Sequence, residues 1–280
     1  MADNFRKGAR GLRNSFSQFV IFVYQSHKTT ATMISLKTRR TVRSYNEQPL
    51  DQSLLDELLE TACRASNTGN MQAYSIVVTR DASGKQALAP LHFNQLQVTQ
   101  APVVLTFCAD FNRFTQWCEQ RGALPGFNNI QAFTYAAIDA IILAQAFCTA
   151  AEEKGLGICY LGTTTYNAAG ICRVLGLPFL VVPLTTVTVG YPKEKESGPL
   201  PERLPMEAIV HEEVYRPYTA TAIDRLYALK EELAENRHFV EINQKENLAQ
   251  VFADIRYTKT DNEHFSTAWI QVLREQGYLD

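Results

Sequence analysis

The chain has 280 residues, 46% of them hydrophobic, and a formal net charge of -2, so it can bury one large core or two small ones, and one main domain is expected. This near-neutral balance argues against a dedicated nucleic-acid-binding protein, whose surface would be broadly basic. The six cysteines are scattered without CxxC spacing and indicate buried, reduced thiols in a cytoplasmic protein. The five histidines are equally dispersed, so no metal site is expected.

Residues 1–32 are expected to form an extension outside the core. Basic residues precede the apolar run FVIFVY at 19–24, which faintly resembles a signal peptide. The run is well short of the roughly eighteen residues that a membrane-spanning helix needs, and polar QSHKTT follows it in place of a cleavage site. A dimer-packing or membrane-surface amphipathic helix is the alternative interpretation of this segment.

Segments with helix-type and strand-type periodicity follow. The leucine spacing in DQSLLDELLETACRA predicts an amphipathic helix over 51–65, with Asp51 placed to cap it. Apolar character on most faces predicts a long helix over 128–155, ended by Gly155. A shorter helix is predicted over 168–177.

The remaining pattern indicates a small sheet covered by these helices. Short β-type runs predict strands over 75–80, 102–110, 157–162 and 181–191. From about Ala222, helical character is predicted in AIDRLYALKEELAENR, ENLAQVFADIRY and HFSTAWIQVLREQG. The fold class is therefore predicted to be α+β. No GxGxxG or GxxxxGK[ST] stretch occurs at a strand-to-helix junction, which argues against Rossmann and P-loop folds.

Three polar segments are candidates for binding. The stretch RRTVRSY, residues 39–45, carries three arginines within five positions; it is either a solvated helix face or an anion site. ASNTGNMQAYS, residues 65–75, can present backbone N–H groups and short side chains to a ligand. In PLPERLPMEAIVHEE, residues 199–213, the prolines surrounding Arg203 make a rigid connection that could hold a guanidinium against phosphate.

The order of these segments resembles that of the FMN-dependent nitroreductase family over residues 35–217, and more closely its larger oxygen-insensitive NADPH-linked nitroreductases and flavin reductases. The motifs that carry the resemblance are RRTVRSYNEQPL, ASNTGNMQAYSIV, QVTQAPVVLTFCADFNR, EEKGLGICYLGTTTYN, LTTVTVGYPKE and PERLPMEAIVHEEVY. The resemblance implies a nitroreductase-like fold with a small mixed or antiparallel sheet. It also implies an FMN-binding core over 33–217 and a C-terminal helical extension over 218–280 that wraps around the partner of a homodimer.

The resemblance further implies which residues bind the flavin at the dimer interface. Those matched to the phosphate and ribityl contacts are Arg39, Arg40, Thr41 and Arg203. Those matched to the N1–C2=O edge are Arg43, whose charge would stabilise the negative charge that builds there on reduction, and Gln95. Those matched to a loop used partly by the opposite subunit are Ser66, Asn67, Thr68, Asn70 and Gln72. Those matched to the segment whose backbone reaches N5 or O4 are Tyr160, Leu161, Gly162 and Thr163.

The sequence departs from the subgroup at three places. Pro201 stands where a lysine is common, so the phosphate clamp has one charge fewer. Thr163 stands where a second glycine is common. Residues 235–247 offer only Arg237 and Lys245 where the subgroup has a basic loop for the 2′-phosphate of NADPH, so NADH or dual use is an open alternative.

The function implied by the resemblance is reduction of nitroaromatics, quinones or flavins by NAD(P)H, through ping-pong hydride transfer at flavin N5. The enzyme would need no catalytic acid or base of its own and would be cytoplasmic, with no nucleic-acid or membrane partner. Its physiological acceptor is not identified. The alternatives are a non-redox phosphate- or nucleotide-binding module, and a dehalogenating or flavin-fragmenting member of the family.

Overall fold

The computed structural model describes residues 36–194 and 199–280, so the predicted extension 1–32 lies outside the described residues. Strands in this part of the chain form an antiparallel sheet of order β1-β2-β4-β3. The strands are β1 (Tyr74–Thr79), β2 (Val103–Asp110), β3 (Gly157–Leu161) and β4 (Val181–Gly190). The predicted α+β class is confirmed, and each predicted strand is present to within a residue at either end.

The helices lie around this sheet. Their bounds are α1 (Gln52–Ala62), α2 (Ala82–Leu88), α3 (Leu96–Gln100), α4 (Asn112–Gln120), α5 (Ile130–Glu153), α6 (Ala168–Leu175), α7 (Ala220–Glu232), α8 (Ala234–Ile242), α9 (Leu248–Gln250) and α10 (Lys259–Glu275). The predicted helices at 51–65, 128–155 and 168–177 are confirmed with slightly shorter bounds.

The C-terminal segment is more broken than its sequence pattern predicts. One helix was expected through AIDRLYALKEELAENR, but Leu233 is extended, with a ψ of 132°, and separates α7 from α8. The next predicted helix is a short α9 that continues as a π-helical turn, Val251–Arg256. Arg256 there lies 4.5 Å from the ring centre of Phe239, a cation–π contact that joins the turn to α8.

The main core lies between the sheet, α1 and α5. Strand β2 is buried at every position, which explains why its sequence, VVLTFCAD, is mostly apolar and does not alternate, since a strand covered on both faces has no alternation. Phe107 of β2 meets Phe147 of α5, with ring centres 6.1 Å apart. Leu55 and Leu58 of α1 close the same cluster.

Helix α5 is, within the described ranges, the one helix whose length and apolar composition would also suit a membrane span. Its packing is that of a core helix. The buried side chains include Asp139 and Glu152, and each is bonded to a residue of a distant segment. Buried carboxylates with protein partners indicate that this face packs against protein, because an unpaired buried charge would be strongly destabilising.

The segment 39–46 runs along the edge of the sheet. Val42 N donates to Ile158 O of β3 at 2.9 Å, and Asn46 N donates to Tyr191 O, just after β4, at 2.9 Å. The buried Tyr45 hydroxyl lies 2.7 Å from Thr188 Oγ1 of β4. The arginines of RRTVR are therefore held beside β3 by backbone and side-chain bonds to the sheet.

Candidate functional site

Arg39 is fixed to the C-terminal end of α5. Its Nε donates to Glu152 Oε1 at 3.2 Å, and its Nη2 lies 3.1 Å from the same oxygen. A carboxylate at this end of a helix is disfavoured by the helix dipole, and the Arg39 charge offsets that effect. These bonds use Nε and Nη2, so Nη1 can still donate to an anion.

Arg40 connects the 39–43 segment with the segment that carries Arg203. Its Nη1 donates to Pro199 O at 2.9 Å. Arg203 Nη1 donates to Glu202 O at 2.9 Å and to Pro201 O at 3.4 Å. Since Pro199 and Pro201 are two residues apart, their backbones are within about 7 Å. The structure thus places the segment of Arg40 beside the segment that carries Arg203, although the two are distant in sequence.

The polar loop 66–72 is attached to the N-terminal half of α5. Asp139, which is 1% exposed, accepts from Thr68 N at 2.9 Å and from Thr68 Oγ1 at 2.9 Å. Asn67 Oδ1 accepts from Gln72 N at 3.2 Å. Gly69, Asn70 and Gln72 have φ values of 55°, 55° and 52°. Such left-handed positions suit glycine and asparagine, and they turn the loop sharply over its anchor.

The two anchors on α5 are far apart. Asp139 and Glu152 are separated by thirteen positions, which corresponds to about 20 Å along a helix. Within one chain, the loop 66–72 and the arginine site therefore lie towards different ends of the helix. The predicted binding residues form two groups: the loop, and the residues around β3.

Gln95 and Thr163 belong to a polar cluster near the end of β3. Gln95 Nε2 lies 3.5 Å from Thr163 Oγ1, and Gln95 Oε1 accepts from Gln97 Nε2 at 2.8 Å. His92 Nδ1 lies 2.9 Å from Thr163 Oγ1. Burial lowers the pKa of His92 to about 4, so its imidazole is neutral near pH 7. His92 is absent from the sequence prediction, because a single histidine in LHFNQ has no periodic or motif signal.

The other predicted residues lie along or beside β3. Burial raises the pKa of the Cys159 thiol, and the nearby charge of Arg43 opposes this increase. Leu161 is buried in a core cluster, so only its backbone can reach a ligand. A Cβ placed on Gly162 would meet no atom of the described residues within 4 Å, which leaves room for close approach from outside. Tyr160 is half-buried, and burial raises the pKa of its hydroxyl.

Comparison with known proteins identifies the family. Residues 36–191 match the Nitroreductase family. The FMN reductase (NADPH) of Bacillus subtilis is 36% identical over 190 residues, covering 67% of this chain and 76% of that protein. A solved structure from Bacteroides fragilis is 58% identical, with a TM-score of 0.85, and covers 88% of this chain and 99% of its own. The NfrA1 nitroreductase of B. subtilis is 30% identical, with a TM-score of 0.75 over 87% of this chain and 97% of its own. The chain belongs to the nitroreductase family.

Removal of the loop anchor is expected to destabilise the protein. Asp139→Ala leaves Thr68 N and Oγ1 without their buried acceptor, which should lower the free energy of unfolding by about 2 kcal/mol. Asp139→Asn keeps one acceptor oxygen and should have a smaller effect. Urea unfolding measures both. Glu153→Gln, an exposed position on the same helix, is the control, and equal stability of Asp139→Ala and the control would contradict the anchoring role.

Proposed function

We propose that this chain is an FMN-dependent oxidoreductase that uses NAD(P)H to reduce flat, electron-poor acceptors such as nitroaromatics, quinones or free flavins. The observation that carries the proposal is the bond from Arg40 Nη1 to Pro199 O at 2.9 Å. It joins the two segments whose arginines the family resemblance assigns to the FMN phosphate. The relatives named above, an FMN reductase (NADPH) and a nitroreductase, support the same reaction class.

The residues around β3 fit an FMN molecule. Arg39, Arg40 and Arg203 would hold the phosphate through charge-assisted bonds, which favour guanidinium groups. The open space at Gly162 would admit the flavin ring close to the backbone. Bound FMN would supply the redox chemistry by accepting a hydride from NAD(P)H and passing electrons to the second substrate.

The chain itself would position the flavin and tune its electrostatics. Arg43 is exposed beside β3, and a cation at the N1–C2=O edge favours the electron-rich form of the ring. Gln95 is held at both ends of its amide, by Thr163 and by Gln97. Its second amide hydrogen remains free to bond a ligand without reorganisation of the side chain.

A homodimer is proposed because the predicted binding residues lie in two separate groups within one chain. The loop 66–72 of one subunit would complete the site around β3 of the other. Helix α5 supports this arrangement through large apolar side chains that are exposed in the single chain. These side chains are Ile130, Tyr135, Ile138, Ile141 and Ile142. A second subunit covering this surface would remove it from water, which favours association.

Ile141→Glu is expected to weaken the dimer. Ile141 is 53% exposed in the single chain, and a buried, unpaired carboxylate at the proposed interface would be strongly unfavourable. Sedimentation at micromolar concentration should show dimeric wild type and a shift of the variant towards monomer, with loss of flavin. Leu124→Glu is the control, since Leu124 is 100% exposed and lies outside α5. A dimeric, flavin-loaded Ile141→Glu protein would place the interface elsewhere.

The function is tested with the purified protein. It should be yellow, release FMN and not FAD on denaturation, and lose its flavin absorption when NADPH or NADH is added under argon. Initial-rate plots with a quinone acceptor should be parallel, because donor and acceptor would use one exposed site in turn. A colourless protein, or a bound flavin that neither nucleotide bleaches, would favour the non-redox phosphate-binding alternative.

The nucleotide preference is tested in the same assay. Lys245 is paired with Asp254 at 2.9 Å, so one of the two cations that could grip the 2′-phosphate already has a carboxylate partner. We therefore propose that NADH is accepted together with NADPH. Dual use would be contradicted by a kcat/KM for NADPH more than about 100-fold higher than that for NADH, which corresponds to roughly 3 kcal/mol. That result would indicate that residues outside 235–247 bind the 2′-phosphate.

A further inference from the structure

The cluster around Thr163 contains a buried histidine that the proposed function does not use. His92 is 0% exposed, and its Nε2 has no hydrogen-bond partner within the described part of the chain. Its Nδ1 lies 2.9 Å from Thr163 Oγ1. The family resemblance assigns no role to His92, whereas Thr163 is the position at which the subgroup often has glycine.

The direction of each hydrogen bond can be assigned by accounting for donors and acceptors. Gln95 Oε1 accepts from Gln97 Nε2, so the group that Gln95 directs at Thr163 is its Nε2, a donor. Thr163 Oγ1 therefore accepts from Gln95. The remaining question is whether the Thr163 hydroxyl proton points to His92 or away from it.

The tautomer of His92 answers that question. If Thr163 donated to Nδ1, the proton of the neutral imidazole would be on Nε2, giving a buried N–H that no described residue accepts. Either tautomer leaves Nε2 without a partner, and in native proteins a buried N–H without an acceptor is rarer than a buried acceptor without a donor. The proton is therefore assigned to Nδ1, which donates to Thr163 Oγ1. The hydroxyl then accepts two bonds, and its own proton is left to be donated elsewhere.

We propose that His92 is a positioning residue that fixes the Thr163 hydroxyl as a hydrogen-bond donor to the pyrimidine half of the bound flavin. This inference rests on the proposed FMN-dependent function. Thr163 is half-exposed, next to the open space at Gly162, so its hydroxyl borders the region assigned to the ring. A donor there favours the electron-rich reduced flavin, in the manner of other preorganised donors.

The first test is the tautomer of His92 in the flavin-loaded protein. Long-range ¹H–¹⁵N NMR distinguishes a protonated from an unprotonated ring nitrogen, and the His92→Asn variant assigns the signals. The expected result is a neutral ring with its proton on Nδ1. A proton on Nε2, or a doubly protonated ring at neutral pH, would overturn the inference.

The second test is a double-mutant cycle read by the midpoint potential of bound FMN. Thr163→Val removes the hydroxyl, and His92→Phe keeps an aromatic ring but removes the Nδ1 donor that positions the hydroxyl. Each is expected to shift the ratio of reduced to oxidised flavin about three- to tenfold towards oxidised, which is about 15 to 30 mV for a two-electron couple. The double variant should match Thr163→Val alone, since the two residues act through one bond. Thr163→Ser and His92→Asn keep the donors and should stay close to wild type.

The outcomes separate the possible failures. If His92 only fills the core, His92→Phe will lower thermal stability without changing the midpoint potential, and that result would overturn the inference. Additive shifts of the potential in the double variant would also overturn it. If His92→Phe does not fold, the inference is tested by the tautomer measurement and by the potentials of Thr163→Val and Thr163→Ser. A wild type without flavin would overturn the proposed function itself. If the wild type binds flavin but has the same midpoint potential as Thr163→Val, the proposed role of the Thr163 hydroxyl is overturned and the proposed function is not.

Discussion

Replacing both Arg40 and Arg203 with alanine is expected to lower FMN affinity by at least about 100-fold. Each charge-assisted bond to phosphate is worth about 1.5 to 3 kcal/mol, and the two arginines approach from segments that are joined at Pro199. The fold should persist, since both side chains are on the surface segments and not in the core. Titration of flavin-free protein with FMN, followed by fluorescence quenching, measures the affinity.

The control for this prediction is Arg225→Ala. Arg225 pairs with Glu207 at 3.0 Å, and both side chains are exposed, so its loss should change neither stability nor FMN affinity appreciably. Arg203→Lys should lie between wild type and alanine, because lysine keeps the charge but not the planar fork. Unchanged FMN affinity in the double alanine variant would remove these arginines from the phosphate site.

Gly157→Val should disrupt the site through the backbone. A Cβ on Gly157 would lie 2.5 Å from Val42 Cβ, a distance that non-bonded carbons do not adopt. Either β3 or the 39–43 segment must therefore move. We expect a loss of about 3 kcal/mol in the free energy of unfolding, as for other overpacked core positions, together with loss of bound flavin, because Val42 lies between Arg40 and Arg43.

Urea unfolding and the flavin content of the purified variant measure this effect. Gly126→Val is the matched control, since a Cβ at Gly126 meets no atom of the described residues within 4 Å. Wild-type stability of Gly157→Val would show that the 39–43 segment is not held against β3. A destabilised variant with full flavin content would separate the packing of Val42 from the position of the arginines.

Much of the fold was accessible from the sequence because its main elements have strong local signals. The pattern of β2 is that of a mostly apolar strand, and the pattern of α5 is that of a long apolar helix ended by Gly155. The helices α2, α3 and α4 were not predicted, since they are short and polar enough to read as loops. The break at Leu233 was also missed, because the residues around it favour a helix and only its extended backbone separates α7 from α8.

The candidate site also has a part that the sequence predicted and a part that it did not. Motif order marked the arginine segment, the loop 66–72 and Arg203 as binding residues, and those assignments remain predictions about the ligand. Their arrangement required the tertiary structure, which places Arg40 against Pro199 and attaches the loop to Asp139.

The sequence by itself therefore determined the fold class and the family, because periodicity and motif order are local properties of the chain. Only the tertiary structure decided that Arg39 is paired with Glu152, that Thr68 is bonded to Asp139, and that His92 faces Thr163. The physical reason is that each of these contacts joins residues at least 71 positions apart. Such contacts are set by how the helices and the sheet pack together, and no local pattern of side chains encodes them.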